Sequence, residues 1–259
     1  MEREVGDLRP ALRARQSQPP ARILVSGVGS QQARNGLSEF LDGPERPDYV
    51  LAIGFAGALR DELRTGALVL SRRLHCSGEE ASLAVDPRLL ELAQEALQGP
   101  SMPPYYVADS VTVPRMVHSA AGKRRLADAT NAWVANMEDY WIGKAALQRG
   151  IPFVSVRAVL DTFDQELPPF VASTGDKSTL GQMVHVMTNL VLRPWDLPKV
   201  VTLSKQVTVA QRSLAASGLA LVSGLRSSHI WDSPDGPDVN ELTPSLSLSG
   251  KGGEDGDGV

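Results

Sequence analysis

The chain has 259 residues, 42% of them hydrophobic, which is enough for one substantial α/β core, and no second core-forming half stands apart from it. A formal net charge of -4 and a pI near 5.6 argue against nucleic acid or an anionic membrane as partner and favour a small polar ligand. A single cysteine, Cys76, excludes an intramolecular disulfide, supplies no metal cluster and reads as a packing residue rather than a nucleophile.

No apolar run is long enough for a membrane helix, and the first twenty residues carry Arg, Glu and Pro instead of a signal-peptide core, so the cytoplasm is the expected compartment. Residues 1–21 are broken by Pro10, Pro19 and Pro20 and predict a partly ordered segment with at most a short helix from Val5 to Arg15. From Arg22 a strand is expected to run into the glycine turn Gly27-Val28-Gly29-Ser30, ahead of a helix from Gln31 to Phe40. Backbone amides at such a turn can hold an anion or orient a water. A dinucleotide fingerprint would need a third glycine near Gln32, so Gly27 and Gly29 alone are weak support for NAD.

After a loop over Asp42 to Asp48, Tyr49 to Ala58 reads as a strand whose end, Gly54-Phe55-Ala56-Gly57, is small enough for a ligand to approach the backbone, or simply for a tight turn under the sheet. Gly66 to Ser71 predicts the next strand, Asp86 to Leu97 a helix burying Leu89, Leu90, Leu92 and Ala93, and Tyr106 to Val113 a further strand. His118 falls in a loop, where a lone histidine is more often a surface residue; Lys123 to Ala129 is helical, and Ala132 to Asn136 is a strand.

The stretch Asn136 to Asp161 carries most of the information. Met137, Trp141 and Ala145 recur on one helical face, Gly150 stops the helix and Pro152 keeps it from resuming. Phe153 to Leu160 is apolar on both faces, as a strand between two layers of helix must be. Asp161 stands where that strand ends, which in an open α/β sheet is where ligands bind; an ordinary capping aspartate is the competing reading. Arg157 lies inside the apolar run and needs an anionic partner, with Glu138 and Asp161 the nearest candidates. Beyond Asp161 come a loop from Asp164 to Lys177 and helices over Thr179 to Leu192 and Leu197 to Leu221. From Ser223 onward Ser, Gly, Pro and Asp dominate, and disorder is expected. The domain reading is therefore 1–21, 22–222 and a tail over 223–259.

The pair Met137-Glu138 followed by Arg157-x-x-x-Asp161 resembles the purine nucleoside phosphorylase and methylthioadenosine/adenosylhomocysteine nucleosidase superfamily. The closing segment, Leu-Pro-Pro, helix, Arg-Pro-x-x-Leu-Pro, helix, is similar to its hopanoid-associated branch more than to the standard nucleosidase. The resemblance implies a three-layer αβα sandwich with a mixed central sheet and cleavage of the bond between ribose C1′ and a purine nitrogen. It assigns Asp161 as the acid at the base, Glu138 to the ribose hydroxyls with Met137 packing under the sugar, and Arg157 to steadying the site. Val111 and Thr112 become candidates for the purine edge, Gly54 to Gly57 match the Gly-x-Ala-Gly-Gly signature with Ala58 in place of its last glycine, and Glu4 falls at the water-activating position. As a terminal residue Glu4 could equally be a solvated carboxylate, and Glu138 an ordinary first-turn acid favoured by the helix dipole.

Several positions depart from the pattern. Leu160 stands where relatives often carry a serine that orients the acid, Ala67 replaces an aspartate, and the buried strand that precedes the water-activating glutamate in relatives is not present ahead of Met1, which leaves the start codon and catalytic competence open. Arg34 is placed to hold phosphate but has no evident second arginine, so hydrolysis is preferred over phosphorolysis, with inorganic phosphate a co-substrate only in the latter case. A nucleoside-binding protein without turnover is the reading from another class. No cofactor or metal is expected; the implied partner is a purine nucleoside carrying a 5′-substituent, and the implied assembly is a homodimer.

Overall fold

A computed structural model describes residues 22–24, 30–44, 46–167 and 197–227. In chain order the described elements are α1 (Ser30–Leu41), β1 (Val50–Ala58), β2 (Leu68–Cys76), β3 (Leu83–Ala84), α2 (Pro87–Ala96), β4 (Tyr105–Thr112), α3 (Ala120–Thr130), β5 (Val134–Asn136), α4 (Asp139–Leu147), β6 (Phe153–Asp161) and α5 (Leu197–Ser227). The alternation of short apolar runs with amphipathic segments is what produces this order.

The strands form one mixed sheet in the order β3-β2-β4-β5-β1-β6. β1 and β6 are parallel to each other, as are β2, β4 and β5, and the two sets meet antiparallel where Gly57 and Ala58 face Ala135 and Val134. β6 also pairs antiparallel with β2, Val69 opposite Arg157, so the sheet curls back on itself. Alternate residues of β6 serve opposite faces. Phe153 packs with Ala52 and Leu74 under α1 and α4, whereas Val154, Val156 and Ala158 pack with Leu68 and Leu70 under α2 and α5. The expected three-layer αβα sandwich with a mixed sheet is therefore the fold observed.

Local chemistry explains where the helices begin and end. Asp86 caps α2 by accepting from the Leu89 amide at 2.9 Å with Pro87 behind it, and Ser119 caps α3 by accepting from the Gly122 amide at 3.1 Å. α4 ends at Leu147, and a left-handed Gly150, φ 62°, then turns the chain into Pro152, where the sequence predicts the stop. Tight approach fixes the layers: a Cβ on Gly143 would stand 2.8 Å from Leu74 Cδ1, and one on Gly224 would stand 2.7 Å from Ala96 Cβ.

Three expectations need adjustment. β2 continues past Ser71 to Cys76, because a bulge between Ser71 and Leu74 lets Arg72 and Arg73 turn to solvent while Leu74 returns to the core. The last helix does not stop at Leu221. It runs to Ser227 because Gly224 packs on Ala96 and Leu225 is fully buried, so the boundary expected at 222/223 falls inside a helix. In the expected opening strand, Arg22 to Leu24 have no regular structure and Ser30 already belongs to α1. The helices expected over Val5 to Arg15 and Thr179 to Leu192, the tail from 228 and most of the loop after Asp161 lie outside the described residues. No helix of the described residues is long and apolar enough to cross a membrane.

Candidate active site

β1 and β6 lie side by side with Gly57 registered against Asp161, so both strands deliver their carboxyl ends to one place. A cleft of about 180 Å³ opens there, and its lining includes Phe55, Gly57, Lys123, Met137, Glu138 and Asp161. Catalytic groups at the carboxyl ends of strands, walled by apolar residues, are the usual form of a small-ligand site.

Asp161 is 5% exposed. Burial raises its pKa above the ordinary carboxylate value of 3.8, and the nearby Lys123 ammonium opposes that rise. Lys123, buried on α3, makes an ion pair with Asp161 Oδ2 and donates to the carbonyls of Thr162 at 2.5 Å and Gln165 at 3.1 Å. Gly57 is required opposite the acid, since a Cβ there would stand 3.2 Å from Oδ2 and 3.3 Å from Oδ1.

Glu138, 7% exposed, precedes the first residue of α4 and does not cap that helix with its side chain. Its Oε2 accepts from the Met137 amide at 3.3 Å and lies 3.5 Å from Arg157 Nη1. Glu138 lines the cleft, and a carboxylate in that place is an acceptor of the kind a pair of sugar hydroxyls needs.

Arg157 pairs with Glu138, one of the two acids expected from the sequence, but most of its support comes from a third acid. Its main partner is neither Glu138 nor Asp161 but Asp139, to which Nε donates at 2.9 Å and Nη2 makes a second contact; Nη1 donates to the Phe55 carbonyl at 3.3 Å. Asp139 is fully buried and also accepts from Ser155 Oγ at 2.6 Å and Asn136 Nδ2 at 3.0 Å. Asn136 Oδ1 in turn accepts from the amides of Glu138 and Asp139 and from Thr112 Oγ1, whose oxygen accepts from the Tyr140 amide. This buried network fixes the start of α4 against β4 and β6, and with it the position of Glu138. Asp161, the other acid expected beside the arginine, makes its ion pair with Lys123.

The remaining sequence candidates separate. Phe55, Ala56, Gly57, Met137 and Glu138 line the cleft together with Asp161. Gly54 does not make room for a ligand: its missing Cβ is where the Arg157 guanidinium sits, with Cζ only 3.1 Å away. Val111 and Thr112 stand just short of the cleft. Val111 is fully buried against α3 with Ala127, Thr112 belongs to the Asn136 network, and Val113 lines the cleft in their place. His118 is exposed and donates nothing to the cleft, although its carbonyl accepts from the Leu167 amide at 2.8 Å. Cys76 is half-buried against the core under α1 and α4, and burial raises its thiol pKa, consistent with a packing role. Glu4, Gly27 and Gly29, and the side chains of Ser30 and Arg34, lie outside the described residues. Among the described residues no group of His, Cys, Asp and Glu side chains is arranged to hold a metal ion.

Lys123, Asn136, Asp139 and Ser155 were not singled out from the sequence. The one available signal was the pair Glu138-Asp139 at a helix start, where either acid could face an arginine on the next strand.

The comparisons with known proteins agree with this architecture. The model of the phosphorylase superfamily matches residues 12–192. A 5′-methylthioadenosine/S-adenosylhomocysteine nucleosidase of Exiguobacterium sp. (strain ATCC BAA-1283 / AT1b) is 27% identical over 168 residues, covering 56% of this chain and 68% of the relative. Among solved structures, the 5′-methylthioadenosine/S-adenosylhomocysteine nucleosidase of Neisseria meningitidis in complex with methylthio-immucillin-A aligns with a TM-score of 0.63 and 18% identity, over 86% of this chain and 95% of the other. Futalosine hydrolase of Helicobacter pylori strain 26695 aligns with a TM-score of 0.63 and 14% identity, over 86% and 94%. At those identities the structural likenesses speak for the fold. With residues 12–192 of 259 matched by the family model, the chain belongs to the phosphorylase superfamily.

Proposed function

We propose that this protein hydrolyses the N-glycosidic bond of an adenine nucleoside carrying a 5′-substituent and releases the free base. The observation that carries the reading is one cleft lined by two buried carboxyl groups in different states of support, Glu138 beside an arginine and Asp161 with a raised pKa. The relatives named above, nucleosidases and a hydrolase by description, support hydrolysis over phosphorolysis.

In this mechanism the bond between C1′ and the purine nitrogen breaks with its electron pair staying on the base. Asp161, kept protonated by burial, gives its proton to the purine ring and so improves the leaving group. Positive character develops on the ribose, and the Glu138 carboxylate, anchored through Met137 and Arg157, stabilises it while accepting from the sugar hydroxyls. A water oxygen then bonds to C1′ and its proton passes to a base, the part that the family resemblance gives to Glu4. Met137 packs beneath the sugar, and Phe55, Ala56 and Gly57 form the wall beside the base. A homodimer remains the expected assembly, which sedimentation would read directly.

The test is adenine release from 5′-methylthioadenosine and related adenine nucleosides with and without inorganic phosphate. Release independent of phosphate is expected, and Asp161→Asn should lower its rate by at least about a hundredfold. Strict dependence on phosphate would convert the reading to phosphorolysis, and binding without turnover would make the protein a nucleoside receptor.

A further inference from the structure

We infer that Lys123 is the residue that positions Asp161 and stabilises the carboxylate formed when Asp161 gives up its proton, taking the place of the serine that relatives often carry where this chain has Leu160. The inference rests on the glycosidic reading above for its chemistry and on geometry for its identity.

The geometry is specific. Lys123 donates to the Thr162 carbonyl at 2.5 Å and the Gln165 carbonyl at 3.1 Å, and its ammonium lies in ion-pair contact with Asp161 Oδ2, a buried oxygen that accepts no hydrogen bond from the described residues. All three of these partners belong to the protein. Lys123 is therefore built to hold protein, and what it holds is the acid and the turn that follows it. The same segment is gripped from the other side, where the side-chain amides of Gln165 and Gln206 bond reciprocally at 2.8 and 2.7 Å and Gln206 reaches Thr65 at 3.2 Å. Thr65 in turn donates to the Leu160 carbonyl at 3.1 Å. Leu160 has no polar side chain to offer Asp161, so the group beside the acid comes from a different element, helix α3.

A buried lysine is a costly way to build a clamp unless its charge is used. Here the charge has a use in the reaction. Before transfer Asp161 is neutral and the ammonium is held by two carbonyls; after transfer the new carboxylate is paired at contact distance, so the interaction strengthens as the C1′–N bond breaks. The other charged groups nearby are committed elsewhere. Arg157 of β6 serves Asp139, Asp164 accepts from the Thr162 hydroxyl in an exposed loop, Arg124 of α3 lies over the Phe163 ring, and Glu138 shares the cleft beside Arg157. Burial favours the protonated form of Asp161 and Lys123 favours its release, so the pair sets the pH at which the acid works.

The experiment compares wild type with Lys123→Gln, Lys123→Met and Lys123→Arg. Gln keeps N–H donors for the two carbonyls without the charge, so a folded variant is available even where Met leaves them unpaired. With 5′-methylthioadenosine as substrate, K123Q should lower kcat by about tenfold to a hundredfold with little change in KM, and move the alkaline limb of the pH profile to higher pH. K123R should return the limb toward wild type. A loss of activity with an unmoved limb, or an unmoved kcat, overturns the proposal in favour of a purely structural lysine. Independently of turnover, the ¹³C resonance of the Asp161 carboxyl should titrate at higher pH in K123Q than in wild type, and in wild type the Lys123 Nζ resonance should shift at the same midpoint as that carboxyl. Independent titrations of the two groups overturn the proposal whether or not any variant folds, and a protein that shows the coupling but releases no base would sink the glycosidic reading alone.

Discussion

Asp139 and Asp161 sit at opposite ends of the same helix and strand pair, both are buried, and each faces a buried cation. Asp139 accepts from Arg157 through two nitrogens, from Ser155 and from Asn136, so its oxygens are saturated and it has no contact with the cleft. Asp161 has one cation, shared with two carbonyls, and it lines the cleft with a raised pKa. The difference teaches that a buried acid becomes structural or chemical according to how completely its charged form is solvated by protein. Asp139 is an anchor because every lone pair it has is used. Asp161 can exchange a proton because burial raises its pKa while a single cation, Lys123, supports its ionised form.

The largest effect should come from breaking the anchor. Asp139→Asn removes the charge that faces two nitrogens of the buried Arg157 guanidinium, and loss of one partner of a buried ion pair costs about 3–5 kcal/mol. Urea unfolding should therefore show a large drop in midpoint for D139N and a smaller one for Asp161→Asn, since Lys123 keeps the Thr162 and Gln165 carbonyls as acceptors. Equal losses in the two variants would erase the distinction between anchor and acid.

Two glycines of β1 divide along the same line. Gly54→Ala pushes a methyl group into Arg157, and overpacking of this kind costs about 1–3 kcal/mol. Gly57→Ala meets first the Asp161 carboxyl group, its oxygens at 3.2 and 3.3 Å, so its expected signature is reduced base release with a nearly unchanged unfolding midpoint. If G54A were as stable as wild type while G57A unfolded early, the two positions would have been assigned to the wrong networks.

These networks explain what was legible in the sequence and what was not. β6 could be read because Phe153 to Leu160 is apolar on both faces and ends in an acid, and α4 because Gly150 and Pro152 close it; such signals are local. Arg157 announced that it needed an anion, but whether Glu138, Asp139 or Asp161 supplies it depends on the rotation of the first turn of α4, which Asn136 sets by accepting the amides of Glu138 and Asp139. Lys123 was invisible because its partner lies on another element and lysines on amphipathic helices usually face water. Arg72 and Arg73 ended the predicted β2 early for a related reason: a bulge, not polarity, decides which side of a strand they take. The glycines of Gly54 to Gly57 were found by pattern, yet their purpose is to admit the protein's own charged side chains.

The smallest effect separates the two aspartates by pH. The folded pKa of Asp161 is raised above 3.8, first by burial and against the pull of Lys123, so the folded state binds that proton more tightly than the unfolded chain does. Its contribution to stability is fully present below the unfolded pKa and is lost as pH rises through the folded one. Asparagine does not ionise and suffers no such loss. In urea titrations run in steps from about pH 4 upward, the stability of wild type relative to D161N should therefore fall with rising pH and then level off once Asp161 is ionised in both states. A difference that stays flat would mean that the Lys123 ion pair cancels the burial cost outright. One that grows in favour of wild type would mean that Asp161 is a second anchor like Asp139, held ionised throughout and unable to supply a proton to a leaving base.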